Sequence, residues 1–186
     1  HGVDTRFFTP PKDRWRRNTK NILYVGNFRH YPNVDAVKNF IKHCWGKILS
    51  EAPDAKFYAI GFSPPPELIK LRSENVIVQE GGDNENLRRF YWNCDVFVAP
   101  IELGTGFRGK MLEAMACGLP VVATSLATFG ISPTHGRDMF VTDDYDEFVK
   151  YVVMLLKDAR LRKKIGKNAS ALARKFDHKY AAKKLE

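Results

Sequence analysis

Short apolar runs alternate along this chain with longer segments in which apolar residues recur at helical spacing. In segment 33–49, for example, Val34, Val37, Phe40 and Ile41 fall on one face of a helix. The apolar runs predict strands at 21–26, 56–60, 76–78, 96–99, 121–123 and 139–141. The helical patterns predict helices at 33–49, 64–72, 84–94, 110–117, 146–157 and 159–175.

This alternation predicts an α/β fold with a doubly wound, mostly parallel, Rossmann-like sheet and helices on both faces. We predict that residues 21–186 form one such domain and that residues 1–20, rich in charge and proline, form a connecting segment outside the sheet. Ligands of such sheets bind at the carboxyl ends of the strands. Four glycine-containing loops are predicted to meet at that edge: those at Gly26, Gly61, Gly81 and Gly104.

The composition limits the class of protein to which this chain can belong. A hydrophobic fraction of 44% is ample for a core, and no stretch of the sequence is long and apolar enough to cross a bilayer. The N-terminal residues have no apolar signal-peptide core. The three cysteines are widely spaced in apolar patterns and form no C-x-x-C pair, so we interpret them as buried free thiols in a reducing compartment.

The formal net charge of +9 is concentrated at the two ends of the chain. Residues 1–20 carry six Lys or Arg against two Asp, and residues 157–186 carry eleven against three acids, whereas the middle carries thirteen against sixteen. Such ends can bind nucleic acid or an anionic membrane. We favour a solvated helical face, because the basic tail lacks the interleaved aromatic residues of a single-strand binder.

The most informative motif is the glycine-rich loop that follows the run at 96–99. The loop contains Gly106 and Gly109 and leads directly into a predicted helix. The first backbone N–H groups of that helix could bind a phosphate. Arg108 and Lys110 add positive charge, and Glu113 could accept hydrogen bonds from the hydroxyls of a ribose. The loop therefore predicts a nucleoside diphosphate site. The alternative is a merely flexible loop with a surface ion pair between Lys110 and Glu113.

Two further motifs occur in a sequence context that does not support their usual function. The loop matches the dinucleotide pattern G-x-G-x-x-G, but it follows the fourth strand and the next strand ends without the acidic residue that NAD binding uses. Asp144 and Asp146 match a D-x-D metal–diphosphate pattern, but they open a predicted helix, where we interpret them as caps. No metal site is therefore predicted. His30 follows the first strand and could reach the cleft, whereas His43 is interpreted as structural.

Four segments together resemble the donor-binding, C-terminal half of retaining GT-B glycosyltransferases of the "glycosyl transferases group 1" family. The strongest is LEAMACGLPVVAT at 112–124. The others are GVD with Phe8 and Pro10, ILYVGNF at 22–28 with PNVDAV at 32–37, and DVFVAP at 95–100.

The resemblance implies a hexosyltransferase-type enzyme that moves a sugar from a UDP-, GDP- or ADP-sugar to a saccharide or lipid-linked acceptor, with retention and without a cofactor. It also implies that the acceptor site and part of the catalytic groups belong to the protein's own N-terminal domain, so this half should bind donor without turnover. A cytoplasmic location is implied, with peripheral contact at the inner membrane face as a further expectation; no nucleic-acid partner is expected.

The chain departs from the family pattern at two places. The first Glu of the family's E-x7-E pattern is Thr105 here, with Glu102 nearby but out of register, whereas Glu113 matches the second Glu. The family's Arg and Lys after the first strand are replaced by Asn27 and Asn33. We therefore expect Arg108 and Lys110 to bind the phosphates. The predicted donor-binding residues are Gly26, Arg29, Gly81, Gly104, Thr105, Gly106, Phe107, Arg108, Lys110 and Glu113.

Other functions stay open at this point. The chain could be half of another GT-B enzyme, such as a nucleotide-sugar epimerase or a phosphorylase, although no lysine stands out for the pyridoxal cofactor of a phosphorylase. It could also be a non-catalytic nucleotide-binding module. The nucleobase is expected to lie against residues 79–82, where Gly81 and Gly82 permit close approach.

Overall fold

The structure, a computed structural model, describes residues 2–106 and 108–183. Its sheet has six strands: β1 (Asn21–Asn27), β2 (Lys56–Phe62), β3 (Val76–Glu80), β4 (Val96–Ala99), β5 (Val121–Ala123) and β6 (Phe140–Val141). All neighbouring strands are parallel, in the order β3-β2-β1-β4-β5-β6. The order reverses between β1 and β4, which confirms the predicted doubly wound, Rossmann-like fold.

The helices within the described residues are α1 (Tyr31–Phe40), α2 (Gly46–Glu51), α3 (Pro66–Ile69), α4 (Asn84–Asn93), α5 (Gly109–Ala116), α6 (Tyr145–Lys157), α7 (Ala159–Arg174) and α8 (His178–Lys183). A π-helical turn at Ile41–Trp45 joins α1 to α2. Short 3-10 turns lie at Arg14–Arg16 and Leu126–Thr128.

Helices cover both faces of the sheet. All four residues of β4 are buried although successive side chains of a strand point to opposite faces, so neither face is open to solvent there. On one face α1 packs with α6, where the rings of Phe40 and Phe148 lie 6.1 Å apart. α5 and α7 pack against each other, and α4 contacts α5 through Tyr91 and Glu113.

Several predicted elements have different bounds in the structure. The predicted helix 33–49 begins two residues earlier in the structure, because proline is tolerated in the first turn of a helix, where the backbone N–H groups need no partner within the helix. The same helical segment also contains the π-helical turn. The predicted helix 64–72 is reduced to α3. α8 and both 3-10 turns were not predicted, since each is only one or two turns long.

β2 continues through Gly61, where the sequence predicted a stop. A Cβ atom at this position would lie 1.7 Å from the carbonyl oxygen of Gly26 on the neighbouring strand. Glycine is therefore present because the backbones of β1 and β2 approach closely, and not because the strand ends.

The connecting segment pairs with none of the six strands, as predicted, but it packs firmly on the domain. Phe8 is buried, and the Arg14 guanidinium donates hydrogen bonds to the carbonyl oxygens of Tyr91, Cys94 (2.6 Å) and Cys117 (3.1 Å). These carbonyls lie at the C-terminal ends of α4 and α5, where backbone acceptors have no partner within the helix. Burial lowers the pKa of Arg14 to about 10, which leaves it charged at neutral pH.

The predicted burial of the three cysteines is confirmed. Cys44, Cys94 and Cys117 are all buried and free, and burial raises the pKa of Cys44 and of Cys117 to about 12. Among the described residues, no helix has the length and apolar character needed to cross a membrane.

Candidate functional site

A cavity of about 450 Å³ opens where β1 and β4 reach the carboxyl edge of the sheet; we call it the β1–β4 cavity. The turn from β1 into α1 forms one wall, with Asn27, His30 and Asn33. The loop after β4 and the first turns of α5 form the opposite wall. Tyr24 and Phe97, on the neighbouring strands, have stacked rings with centroids 6.4 Å apart and line the inner part.

The start of α5 is suited to bind an anion. This helix begins at Gly109 with no capping side chain and no acidic residue in its first turn, as far as its described residues go. Gly109 and Lys110 line the β1–β4 cavity, so the positive end of the helix dipole lies at its wall. Gly104 has φ +85° and lies so close to α1 that a Cβ atom would be 2.8 Å from Cγ of Pro32, which closes the loop against the opposite wall.

Arg108 precedes α5 and lines the β1–β4 cavity. Its Nε atom is buried and has no hydrogen-bond partner among the described residues. Its positive charge acts on Tyr24, whose pKa is raised by burial and lowered in part by Arg108. Since an unpaired buried donor costs free energy, Arg108 is a cation with unused capacity to bind a ligand.

Glu113 is held in one orientation by two donors. The Tyr91 hydroxyl donates to Oε2 at 2.7 Å, and Lys110 Nζ donates to Oε1 at 3.2 Å. The Glu113 side chain is only 15% exposed, yet it lines the β1–β4 cavity. Burial, and then the Glu113 charge, raise the pKa of Tyr91 well above its ordinary value, so the phenol stays a donor. The carboxylate keeps lone pairs for a ligand, because each oxygen can accept more than one hydrogen bond.

A neutral amide network replaces the cations that the family pattern places after the first strand. Tyr24 donates its hydroxyl hydrogen to Oδ1 of Asn33, and Nδ2 of Asn33 donates to the carbonyl oxygen of Asn27 at 2.8 Å. Asn27 and Asn33 therefore give this wall polar groups without charge. The positive charge of the cavity comes from the opposite wall, as expected from the sequence.

The structure brings most of the predicted donor-binding residues to one cavity. Seven line it: Gly26, Gly104, Thr105, Gly106, Arg108, Lys110 and Glu113. Phe107, also predicted, lies outside the described residues.

Arg29 and Gly81 do not line the β1–β4 cavity. The Arg29 guanidinium lies over the ring of Phe62, 4.6 Å from its centroid. The Gly81 N–H donates to the carbonyl oxygen of Gly61 at 3.1 Å, and the Gly81 carbonyl accepts from Nδ2 of Asn86 at 2.7 Å. The Gly81 N–H is thus paired within the protein, and its carbonyl oxygen already accepts one hydrogen bond.

The remaining acidic candidates have structural partners. Glu102 accepts a hydrogen bond from the Tyr145 hydroxyl and does not line the cavity. Asp144 caps α6 by accepting from the Glu147 N–H at 2.9 Å, which confirms the predicted cap, and Asp146 forms an ion pair with Lys47 at 2.5 Å. Within the described ranges, no group of three His, Cys, Asp or Glu side chains is placed to hold a metal ion.

Sequence reasoning missed three aromatic residues of the site: Tyr24, Phe97 and Tyr91. All three occur in apolar patterns that predict core positions, and Tyr91 is indeed fully buried. One signal was present for Tyr24, because it is two residues before Gly26 on β1 and so points to the same side of the strand. No comparable signal linked Tyr91 to Glu113, since their contact joins two different helices.

Comparison with known proteins identifies the family. The family model described as "Glycosyl transferases group 1" matches residues 19–158, and the chain belongs to this family. It is 28% identical over 176 residues to the lipopolysaccharide core biosynthesis mannosyltransferase LpsB of Rhizobium meliloti (strain 1021), covering 85% of this chain and 50% of the relative. It is 29% identical to the sulfoquinovosyl transferase SQD2 of Arabidopsis thaliana, covering 99% of this chain and 38% of the relative. The chain thus spans half or less of the length of these relatives.

Solved structures share the fold. Sucrose-phosphate synthase from Thermosynechococcus elongatus superposes with a TM-score of 0.80 at 20% identity, over 99% of this chain and 49% of that chain. The C-terminal domain of the glycosyl transferase group 1 family protein LpcC from Francisella tularensis gives 0.71 at 19% identity, over 95% and 100%. Anabaena HepE in complex with UDP-glucose gives 0.71 at 18% identity, over 99% and 55%. The fold is therefore that of the C-terminal half of a GT-B glycosyltransferase.

Proposed function

We propose that this chain is the donor-binding half of a glycosyltransferase that takes a sugar from a nucleotide diphosphate sugar and passes it to a saccharide or lipid-linked acceptor with retention. The observation that carries the proposal is the wall of the β1–β4 cavity, where Arg108, the start of α5 and Glu113 lie within six residues of one another. This wall offers positive charge for a diphosphate next to a carboxylate for a ribose.

The same wall suits the chemistry of sugar transfer. When the bond between the sugar and the diphosphate breaks, negative charge grows on the leaving diphosphate. Fixed donors that stabilise this charge lower the barrier, because they need no reorganisation as the reaction proceeds. Arg108 and the first N–H groups of α5 supply such donors in the proposal. Lys110 contributes less to this stabilisation, since its ammonium group already forms an ion pair with Glu113.

The name of one structural neighbour supports a nucleotide sugar as the ligand. Anabaena HepE, whose fold this chain shares, is described in complex with UDP-glucose. We therefore place UDP first among the nucleotides to be tried, with GDP and ADP beside it.

Titration calorimetry of the chain with UDP, GDP and ADP tests the proposal. One of them should bind, and Arg108→Ala should weaken that binding by about 1.5–3 kcal/mol, the usual contribution of a hydrogen bond to a charged group. Arg160→Ala, which removes an exposed arginine at the start of α7, serves as the control and should leave the affinity unchanged. Unchanged affinity in the Arg108 variant would refute its proposed contact with the diphosphate.

Glu113→Gln separates the ribose contact from the phosphate contact. The amide keeps the size of the side chain but has only one acceptor oxygen, so binding of the nucleoside diphosphate should weaken while binding of pyrophosphate should not. An equal loss for both ligands would contradict the assignment of Glu113 to the ribose. We also expect the chain alone to bind a donor sugar without transferring it, since the proposed acceptor site belongs to another domain.

A further inference from the structure

A second cavity, of about 500 Å³, shares no lining residue with the β1–β4 cavity. It lies between the connecting segment and α7, and we call it the α7 cavity. Thr9 and Trp15 line it from the connecting segment, and Lys167, Ser170 and Arg174 line it from α7. The proposed function makes no use of this cavity.

The α7 wall carries positive charge without a balancing acid. Lys167, Ser170 and Arg174 are three, four and seven residues apart, so they lie on one face of the helix. Lys167 and Arg174 are both exposed, and neither takes part in an ion pair within the described part of the chain. Arg174 uses only Nε, for a long 3.4 Å bond to the Ser170 carbonyl oxygen. Its two terminal nitrogens have no partner among the described residues and are available to a ligand.

The acid that follows this run of cations is already used by the protein. Asp177 accepts hydrogen bonds from the Thr5 N–H (3.1 Å) and hydroxyl, and from the Lys179 N–H at 2.9 Å. These bonds lower the pKa of Asp177, the Thr5 hydroxyl contributing most. The carboxylate is thus buried and bound to the connecting segment, and it pairs with neither Lys167 nor Arg174.

The opposite wall is fixed in place. The indole edge of Trp15 packs on two glycines. A Cβ atom added at Gly118 would lie 3.1 Å from the indole ring, and one added at Gly166 would lie 2.7 Å from it. The Val3 N–H also donates to the carbonyl oxygen of Phe176 at 2.9 Å, which ties the connecting segment to the end of α7. Contacts within the chain itself therefore shape the α7 cavity, as in most small-molecule sites.

We propose that the α7 cavity binds a phosphorylated sugar. Lys167 and Arg174 start about 10.5 Å apart along the helix, at 1.5 Å per residue, and their long side chains can converge on one phosphoryl group between them. Arginine and lysine are the usual partners of phosphate, and the Ser170 hydroxyl, which lies between them, can donate to it. The indole of Trp15 offers an apolar surface for the face of a sugar ring together with an N–H donor.

Calorimetric titration of the chain with glucose 6-phosphate, glucose and inorganic phosphate tests this site. Glucose 6-phosphate should bind more tightly than either glucose or phosphate alone. Lys167→Ala and Arg174→Ala should each weaken its binding about tenfold to a hundredfold, the equivalent of one lost charged hydrogen bond. Lys163→Ala is the matched control, because it removes an exposed cation from the same helix outside the cavity.

Three results would overturn the proposal. One is the lack of saturable binding of glucose 6-phosphate. Another is an equal loss in the Lys163 variant, which would indicate a general attraction to the basic helix. The third is inorganic phosphate binding as tightly as glucose 6-phosphate, which would remove the sugar ring from the site. Arg108→Ala should leave the binding intact, so failure here and failure of the proposed donor site are distinguished.

Discussion

At the scale of single residues, the site depends on how Glu113 is oriented. A carboxylate on the surface of a helix samples several rotamers, but Glu113 is fixed by the Tyr91 hydroxyl and by Lys110. Tyr91 is itself immobile, since it is fully buried and its ring lies 5.8 Å from that of Phe8 in an edge-on arrangement. The connecting segment thus reaches the proposed ribose contact through Phe8 and Tyr91.

Tyr91→Phe tests this positioning role. The change removes one donor from Glu113 and should weaken nucleoside diphosphate binding by about 1 kcal/mol, a typical net hydrogen-bond contribution. Binding of pyrophosphate, which has no ribose, should be unaffected when both are measured by calorimetry. Tyr58→Phe, on the partly buried Tyr58 of β2, is the control. A parallel loss of affinity for both ligands would point to general damage instead of lost orientation.

The sequence predicts residues of this kind unevenly. Arg108, Lys110 and Glu113 could be found because they follow one another at the start of one helix. Tyr91 could not, because its bond to Glu113 depends on the packing of α4 against α5, which no local pattern records. The ion pair between Lys110 and Glu113, in contrast, was one of the alternatives read from the sequence, because the two residues are three apart on one helix.

At the scale of elements, the close approach of β1 and β2 explains why position 61 is a glycine, although the sequence suggested that the strand ends there. Gly61→Ala would place a methyl group 1.7 Å from the Gly26 carbonyl oxygen, so the strands must separate. We expect a loss of unfolding free energy of at least about 1–3 kcal/mol, as for other overpacked sites. Urea unfolding followed by circular dichroism measures it.

Gly46→Ala is the matched control for that experiment. Gly46 has helical angles (φ −60°, ψ −38°), and a Cβ atom there would meet nothing within 4 Å. Alanine should stabilise the chain by roughly 0.5–1 kcal/mol, since glycine is a poor helix former. If Gly61→Ala proved as harmless as Gly46→Ala, the description of the β1–β2 contact would be wrong.

Arg14 joins the connecting segment to the ends of two helices. Arg14→Met keeps an apolar chain of similar length but leaves the carbonyl oxygens of Tyr91, Cys94 and Cys117 without their buried donor. We expect a loss of at least about 2 kcal/mol of unfolding free energy, because hydrogen bonds to a charged group contribute strongly and orphaned acceptors are costly. Arg16→Met, an exposed arginine in the same 3-10 turn, should change stability little. Equal effects of the two substitutions would contradict the anchoring role.

Element type was predictable wherever the hydrophobic pattern was clear. The six strands and the long helices were found, because alternation of strand and helix is a local signal repeated many times. The predicted bounds of an element were wrong where long-range packing determines its end, as at Gly61. The burial of Arg14 could not be foreseen, since its three hydrogen-bond acceptors lie at helix ends distant in the sequence. The predicted connecting segment lies outside the sheet but is part of the packed domain.

At the scale of the whole molecule, two cavities flank α5. The β1–β4 cavity lies at its start, and the α7 cavity includes Ala116 at its end. The chain spans half or less of the curated relatives described above, so a donor-binding half that works with a further domain is the arrangement the proposal requires. The basic charge on α7, interpreted from sequence as a solvated face, has a more specific assignment in part, since Lys167 and Arg174 line a cavity.

A crystal structure of the chain with UDP, or with whichever nucleoside diphosphate binds most tightly, tests the central claim most directly. The account predicts diphosphate oxygens within hydrogen-bonding distance of Arg108 and of the first N–H groups of α5, with a ribose hydroxyl on the Glu113 carboxylate. A nucleotide bound elsewhere, or one whose diphosphate points away from α5 while Glu113 contacts only Tyr91 and Lys110, would contradict it.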